Sequence, residues 1–486
     1  MHALWATLAN GQDLVGTVPG DRFDVARFVS ADGRLREGRV YTAAGGFLDD
    51  VSSFDADFFG ISPKEASRID PQQRLILECV VEAFGDAGID PAALAGSDTA
   101  VYVGVSSHGY SSLQQRRPRT LNAYTMSGSA SCNTANRVSY VFDLRGPSLA
   151  VDTACSSTLS AVHKACEAVR SGRSSLALAG GVNVLLDRWE SVGFAQASML
   201  SPTGRCHPFS ESADGYVRSE GSGVLVLKPL AAARADGDRI HGVILASAVN
   251  ADGRTAGLAL PSARSQAALL ERVYVEAGVC ADEVAYIEAH GTGTQAGDPV
   301  ECAALGEVLG RQRTSGRPLP IGSVKSNLGH LEAASGVPGL LKALLVLRER
   351  SIPATLHAAP LSSRIDFAGL GLEPVTEARS FDAQEVAGTP SPNGERRGRR
   401  KLLRVRRRQR SRGARSRAHP CPRPCSVSRP RFRPGPAHCS SVGPDRGWAT
   451  RHDPRRPAPP FPVRPHVDRA RSRRIPLGRA PRRSAG

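Results

Sequence analysis

Short apolar runs and helical stripes alternate along roughly the first 385 residues. Val101-Tyr102-Val103-Gly104-Val105, Leu176-Ala177-Leu178-Ala179, Gly223-Val224-Leu225-Val226-Leu227 and Ala285-Tyr286-Ile287 have the length of buried strands. Ser148-Leu149-Ala150-Val151 predicts another. It leads to a helix from Ser157, where Leu159, Val162, Ala165, Cys166 and Val169 form one stripe and Gly172 is the stop. Ile321-Gly322-Ser323-Val324 predicts a late strand. A helix from about Ala333 follows, striped by Val337, Leu340, Leu341, Leu344 and Leu345. Pro338 falls in its first turns, where proline is best tolerated. Strand and helix in alternation predict an α/β architecture. An Ala/Arg-rich stretch near Pro229–Asp238 predicts a seam between two halves, 1–230 and 231–388. Each half repeats the series of strand, polar turn and small-residue helix.

Composition changes this picture at one end only. Residues 389–486 hold 29 Lys+Arg against 4 Asp+Glu, leaving 34 basic and 42 acidic residues for the rest. The formal charge of +17 is therefore a property of the tail, and the body is mildly acidic. That excludes nucleic acid as a specific partner of the body. The tail is dense in Arg and Pro and poor in aliphatics, which predicts disorder. It would hold phosphate at low salt, but it lacks the interleaved aromatics of a specific reader. No run of 18 apolar residues occurs, so no membrane span is expected. No charged and then apolar leader opens the chain, and the ten cysteines form no Cys-x-x-Cys pair. Both features point to a reduced, cytoplasmic setting.

Three polar clusters carry candidate chemistry. In Asp152-Thr153-Ala154-Cys155-Ser156-Ser157, Cys155 sits where a strand hands over to a helix. Asp152 and Thr153 are good cap types there, and first-turn amides with the helix dipole predict a lowered thiol pKa. The competing reading is a small buried core cysteine. The second cluster is Glu288-Ala289-His290-Gly291-Thr292-Gly293-Thr294, running into Gly297-Asp298-Pro299. The third is Lys325-Ser326-Asn327-Leu328-Gly329-His330. Both histidines follow strands in Gly-rich turns, where backbone can approach a ligand closely. Either could instead be a structural hydrogen bonder. Cys155, His290 and His330 as a zinc site would lack local ligand spacing and a fourth ligand, so no metal is expected.

In this order and at these separations, the three clusters resemble those of the β-ketoacyl synthase domain of modular type I polyketide synthases. Asp70-Pro71-Gln72-Gln73-Arg74, Gly45-Gly46-Phe47-Leu48, Phe58-Phe59-Gly60-Ile61 and Asp214-Gly215-Tyr216-Val217-Arg218 extend the resemblance over roughly residues 1–385. It implies a thiolase-like fold, two similar βαβ-type halves layered α-β-α-β-α. It implies that Cys155 takes an acyl chain from acyl carrier protein as a thioester. His290 and His330 would donate hydrogen bonds to a malonyl-type thioester as it loses carbon dioxide, and one of them would handle protons. Asp298 and Lys325 would form an ion pair orienting the histidines, unless they are a plain surface pair. Thr292 and Thr294 would hold the phosphopantetheine arm. No cofactor of the domain's own is implied. The implied partners are acyl carrier protein, other polyketide synthase domains and a second copy of the chain. Two histidines, rather than one with a second cysteine, argue against a thiolase.

The chain departs from the family in two places. Family members open with an Ile-Ala-Ile-Val-Gly type strand; this chain starts beyond it, so a central strand of the first half is expected to be missing. The family's closing Gly-Phe-Gly-Gly loop and Asn-Ala-His are also absent. Residues 399–417 can be written in permitted codons that, read one base later, encode Val-Gly-Ser-Ser-Phe-Gly-Phe-Gly-Gly-Ala-Asn-Ala-His-Val-Val-Leu-Glu-Ala. The reading that follows is a frame change between about Ala387 and Arg399, with an out-of-frame tail. Activity of the chain as written is then expected to be low. The alternative is an inactive remnant that only dimerises or docks a carrier protein.

Overall fold

Strand β1 (Ala100–Gly104) shows how the first half is layered. It pairs in parallel with β2 (Ser148–Val151) on one side and β3 (Ala177–Asn183) on the other. β4 (Gly221–Leu227) closes the sheet antiparallel to β3, giving the order β2-β1-β3-β4. Side chains alternate across this sheet. Val101, Val103, Leu178 and Val182 face a core with Ile76, Leu77, Val80 and Phe84 of helix α1 (Pro71–Ala87) and Val138 of α2 (Asn133–Val141). Ala100, Tyr102, Ala177 and Ala179 face Ala161, Val162 and Ala165 of α3 (Ser157–Arg170). Alanines on this side let α3 lie close to the sheet. Two glycines take the approach further: a Cβ on Gly104 would stand 2.6 Å from Thr158 N, and one on Gly181 would stand 2.0 Å from Thr158 Oγ1. The first turn of α3 is thus seated on the ends of β1 and β3.

The computed structural model describes residues 1–30, 32–116 and 118–380; the Arg/Pro-rich tail and its frame reading lie outside them. In the second half, β5 (Ile287–Glu288), β6 (Leu319–Gly322) and β7 (Leu372–Pro374) form a parallel sheet in the order β7-β6-β5. Its core gathers Leu319, Ile321 and Leu372 with Cys302 and Leu305 of α5 (Gly297–Val308), and Leu270 and Tyr274 of α4 (Ala263–Ala277) pack against it. Helix α6 (Gly336–Glu349) lies between the halves, packed on α3 and in touch with both sheets. The layers run α1/α2, sheet, α3/α6, sheet, α4/α5, which is the expected α-β-α-β-α order. Among the described residues, no helix is long and apolar enough to cross a membrane.

Several expectations shift. The first sheet has no central gap, because β1 pairs directly with both neighbours and β2 and β4 are its edges. The helix expected from Ala333 starts at Gly336, preceded by a tight turn at Glu332–Ala334. Ala285-Tyr286-Ile287 contributes only Ile287 to a strand. Apart from these, the apolar run Ile240–Val249, for which no element was expected, forms no strand, and Arg170 of α3 donates to the carbonyls of Ile244 and Leu245.

Candidate active site

Cys155 occupies the turn between β2 and α3. Ala154, just before it, has φ +54°, a left-handed conformation uncommon for a residue with a Cβ. Ser157 holds the turn: its Oγ donates to Ala154 O at 2.6 Å and accepts from Thr153 N at 2.9 Å. The helix N-cap is Ser156, not Asp152 or Thr153, so Cys155 lies outside the first helical turn. Cys155 is exposed, yet its sulfur is crowded by protein. Burial pushes the thiol pKa above its ordinary 9.0, and the Lys325 charge opposes that rise. The expected lowering is not met, because desolvation by neighbouring elements outweighs what favours the thiolate.

The two histidine turns are stitched together by carboxylates. Glu301 of α5 accepts the backbone N–H groups of His290 at 2.6 Å and Gly291 at 2.9 Å. Glu288, at the end of β5, accepts Val324 N at 2.6 Å and pairs with Lys342 of α6 at 3.0 Å. The turn that carries Lys325 is thereby fixed beside the turn that carries His290. His330 is held by its own backbone, donating N–H to Val217 O at 2.7 Å and accepting Ser219 N at 2.8 Å. These elements bring Cys155, His290 and His330 together: their sulfur and ring nitrogens lie within 4.8 Å of one another. The two imidazoles meet edge to face with centroids 5.3 Å apart.

One hydrogen bond defines what His330 offers. The Glu332 N–H donates to His330 Nδ1 at 2.9 Å, so Nδ1 carries the lone pair and Nε2 carries the hydrogen. Burial, then Lys325, His290 and Arg218, holds this imidazole well below its usual range. His290 is exposed as a residue, yet its ring is crowded by protein, and that burial together with Lys325 pushes it down to about 3. Both rings are therefore neutral near pH 7. A metal needs a lone pair at the ligating nitrogen, whereas His330 presents N–H. His330 Nε2 is thus a hydrogen-bond donor.

The remaining expected residues divide. Asp298 and Lys325 do not pair. Asp298 is buried and accepts Phe209 N at 2.8 Å and Gly293 N at 3.2 Å, and burial pushes its carboxyl up to about 7. Its backbone donors lie closer than any cation, and its electrostatic neighbour is Glu301. Lys325, itself buried, instead favours the ionised forms of Glu301 and Cys155. Thr292 and Thr294 adjoin, with Oγ1 atoms 3.2 Å apart. Sequence reasoning passed over Glu301, although its place three residues after Asp298 on α5 put it on the same helix face. It also passed over Glu332, beside His330, and its pairing with the buried Arg218 at 2.5 Å. Nothing local marks that contact across 114 residues.

The profile of the beta-ketoacyl synthase N-terminal domain matches residues 1–233, and that of the C-terminal domain matches residues 241–359. The chain belongs to the beta-ketoacyl synthase family. This ketosynthase is 47% identical over 394 residues to the polyketide synthase GfsA of Streptomyces halstedii, covering 80% of the chain and 5% of that protein. It is 43% identical over 397 residues to a phenolphthiocerol/phthiocerol polyketide synthase polypeptide of Mycobacterium tuberculosis, covering 82% of the chain and 21% of the relative. The ketosynthase therefore spans a small part of these relatives. Among solved structures, it resembles the Streptomyces albus JA3453 oxazolomycin ketosynthase domain OzmH KS7 with TM-score 0.74 and 41% identity, over 77% of this chain and 64% of that one. The ketosynthase from module 6 of the bacillaene synthase of Bacillus subtilis 168 matches with TM-score 0.71 and 35% identity, over 78% and 64%. The thiolase-like α/β fold and the ketosynthase type of the domain follow from these matches.

Proposed function

We propose that this ketosynthase joins two carbon chains by decarboxylative Claisen condensation. Residues 1–230 supply the nucleophile and residues 231–388 the two histidines. The Cys155 thiolate attacks the carbonyl of an acyl thioester borne on phosphopantetheine, and the pantetheine thiolate leaves. A malonyl-type thioester then enters, its arm hydrogen-bonded by Thr292 and Thr294. As its carboxylate departs as carbon dioxide, His330 Nε2–H and the His290 ring donate to the thioester oxygen, where enolate charge collects. The enolate carbon attacks the acyl carbonyl on Cys155, and the Cys155 thiolate leaves with the bonding pair. The observation that carries this reading is the meeting of one sulfur and two neutral imidazoles within 4.8 Å, one imidazole wired as a donor.

The partners proposed are acyl carrier protein and further polyketide synthase domains in the cytoplasm, and a second copy of the chain. Strand β2 supports the last: it is a sheet edge with Leu149 half exposed, and Tyr140 on neighbouring α2 is 85% exposed. The unladdered apolar run Ile240–Val249 favours a second reading for the chain as written, a remnant that docks or dimerises but turns over slowly. We propose that the shifted frame at residues 399–417 is the cause. The test uses the full chain and a version carrying the alternative-frame sequence, each given an acyl thioester and a malonyl thioester. A mass increase on Cys155 in both, with condensation faster in the second, supports the reading. No acyl adduct on Cys155 in either would overturn it.

A further inference from the structure

We propose that Glu332 and Arg218 are positioning residues whose ion pair keeps His330 a hydrogen-bond donor. The inference rests on the reading of His330 given under the proposed function. It starts from a conformational oddity: Glu332 carries a long side chain yet has φ +49°. A residue with a Cβ stays in the left-handed region only when its surroundings hold it there. Those surroundings are specific. Arg218 is 3% exposed and meets the Glu332 carboxylate with both arms of its fork, Nε to Oε1 at 2.5 Å and Nη2 to Oε2 at 2.8 Å. Asn183, at the end of β3, adds a bond to Oε2 at 3.3 Å. Arg218 is fixed in turn by Glu190 at 2.6 Å and Ser191 Oγ at 2.9 Å. The following carbonyl, of Ala333, accepts Thr158 Oγ1 of α3 at 2.5 Å.

The Glu332 side chain and the Ala333 carbonyl that follows it are thus pinned, and the Glu332 N–H points at His330 Nδ1. The alternative state is also on hand. Ser335 Oγ lies 2.7 Å from the same Nδ1 and could accept a hydrogen from it. Without the clamp, the Glu332 backbone relaxes to negative φ and its N–H swings off the ring. Nδ1 can then take the hydrogen, with Ser335 as acceptor. Nε2 would present a lone pair toward Cys155, able to accept from the thiol but not to donate to an enolate oxygen. Arg218 is well placed for this task, since its backbone neighbours Val217 and Ser219 also hold the His330 main chain.

The test reads the ring hydrogen directly. Long-range ¹H–¹⁵N spectra of the full chain labelled with ¹⁵N-histidine distinguish the two tautomers, and the signal lost in His330→Gln assigns His330 among the twelve histidines. The unmutated chain should show the Nε2–H form. Glu332→Ala should give a mixture, with condensation slowed about 10²-fold while acylation of Cys155 stays within a few-fold. Glu332→Gly, free to adopt positive φ, should recover much of both signals, a rescue that lost packing would not give. Should the alanine variant not fold, Glu332→Gln keeps the bulk, removes the charge and should move the tautomer the same way. An unchanged Nε2–H signal in the folded variants, or acylation and condensation falling in step, would overturn the clamp. If neither the unmutated chain nor its alternative-frame version condenses while the tautomer still follows residue 332, the clamp stands and the Claisen reading falls.

Discussion

The two halves of this ketosynthase were built from the same plan and differ in how much of it they complete. The main sheet of the first half has four strands of four to seven residues and two well-filled faces, and it leads to Cys155, the proposed nucleophile, on a short, strained turn. The second half has strands of two to four residues, and its donor groups sit in glycine turns tied down by carboxylates. A reactive atom can be presented by one rigid strand-to-helix handover. The two imidazoles proposed as donors are aimed from two turns at once, so the half-buried Glu288, Glu301 and Glu332 do there what sheet packing does in the first half.

Separating the chemistry of the halves gives the largest expected effects. Cys155→Ala should lower condensation by about 10⁴-fold or more while malonyl thioester decarboxylation, read as released carbon dioxide, persists. His330→Ala should do the reverse: decarboxylation falls about 10²–10³-fold, and radiolabelled acyl transfer to Cys155 continues. If either variant lost both steps equally, the division of labour between halves would be wrong.

The seam between halves offers a middle-sized effect. Gly181→Ala would drive a methyl into Thr158 Oγ1, with Ala333 O and Ala334 Cα both at 3.1 Å behind it. Overpacking of this kind costs about 1–3 kcal/mol. It should also loosen the Thr158–Ala333 bond that joins α3 to the His330 turn. Denaturant midpoints should fall for Gly181→Ala and stay level or rise slightly for Gly193→Ala, a helical site where nothing lies within 4 Å of the new Cβ. Equal loss in both would show that the seam is not tightly packed.

How far the sequence disclosed these features follows the same division. Ser148–Val151 and the stripe from Ser157 were legible because one segment carries its own period, and the structure starts the helix at Ser157. Ala285-Tyr286-Ile287 reads as a strand but only Ile287 joins one, since a strand is a property of a pair and local apolarity cannot supply the partner. The motifs named Cys155, His290 and His330, and the fold brings them together. The Asp298–Lys325 pairing failed because the Asp298 partners are amides, one of them 89 residues away at Phe209. The pairing of Glu332 with Arg218, itself read only as the end of a motif, went unread for the same reason: their contact exists only once β3, the His330 turn and the Arg218 segment have been assembled.

The smallest effect asks which half activates the sulfur. If the N-terminus of α3 dominated, the thiol would ionise early and alkylation by iodoacetamide would level off below pH 8. The structure argues otherwise: Cys155 precedes the first helical turn, burial raises its pKa above 9.0, and the opposing charge is Lys325, from the other half. The thiolate fraction should therefore climb about tenfold per pH unit across pH 7–9 with no plateau. Lys325→Met removes a cation that favours the thiolate, so the thiol should ionise at still higher pH and react more slowly at every pH in that window. The same change relieves His290 and His330 of a neighbouring positive charge, so their imidazoles should protonate more readily than before. A plateau below pH 8, or a rate untouched by Lys325→Met, would return the activation to the helix and make the first half chemically self-sufficient.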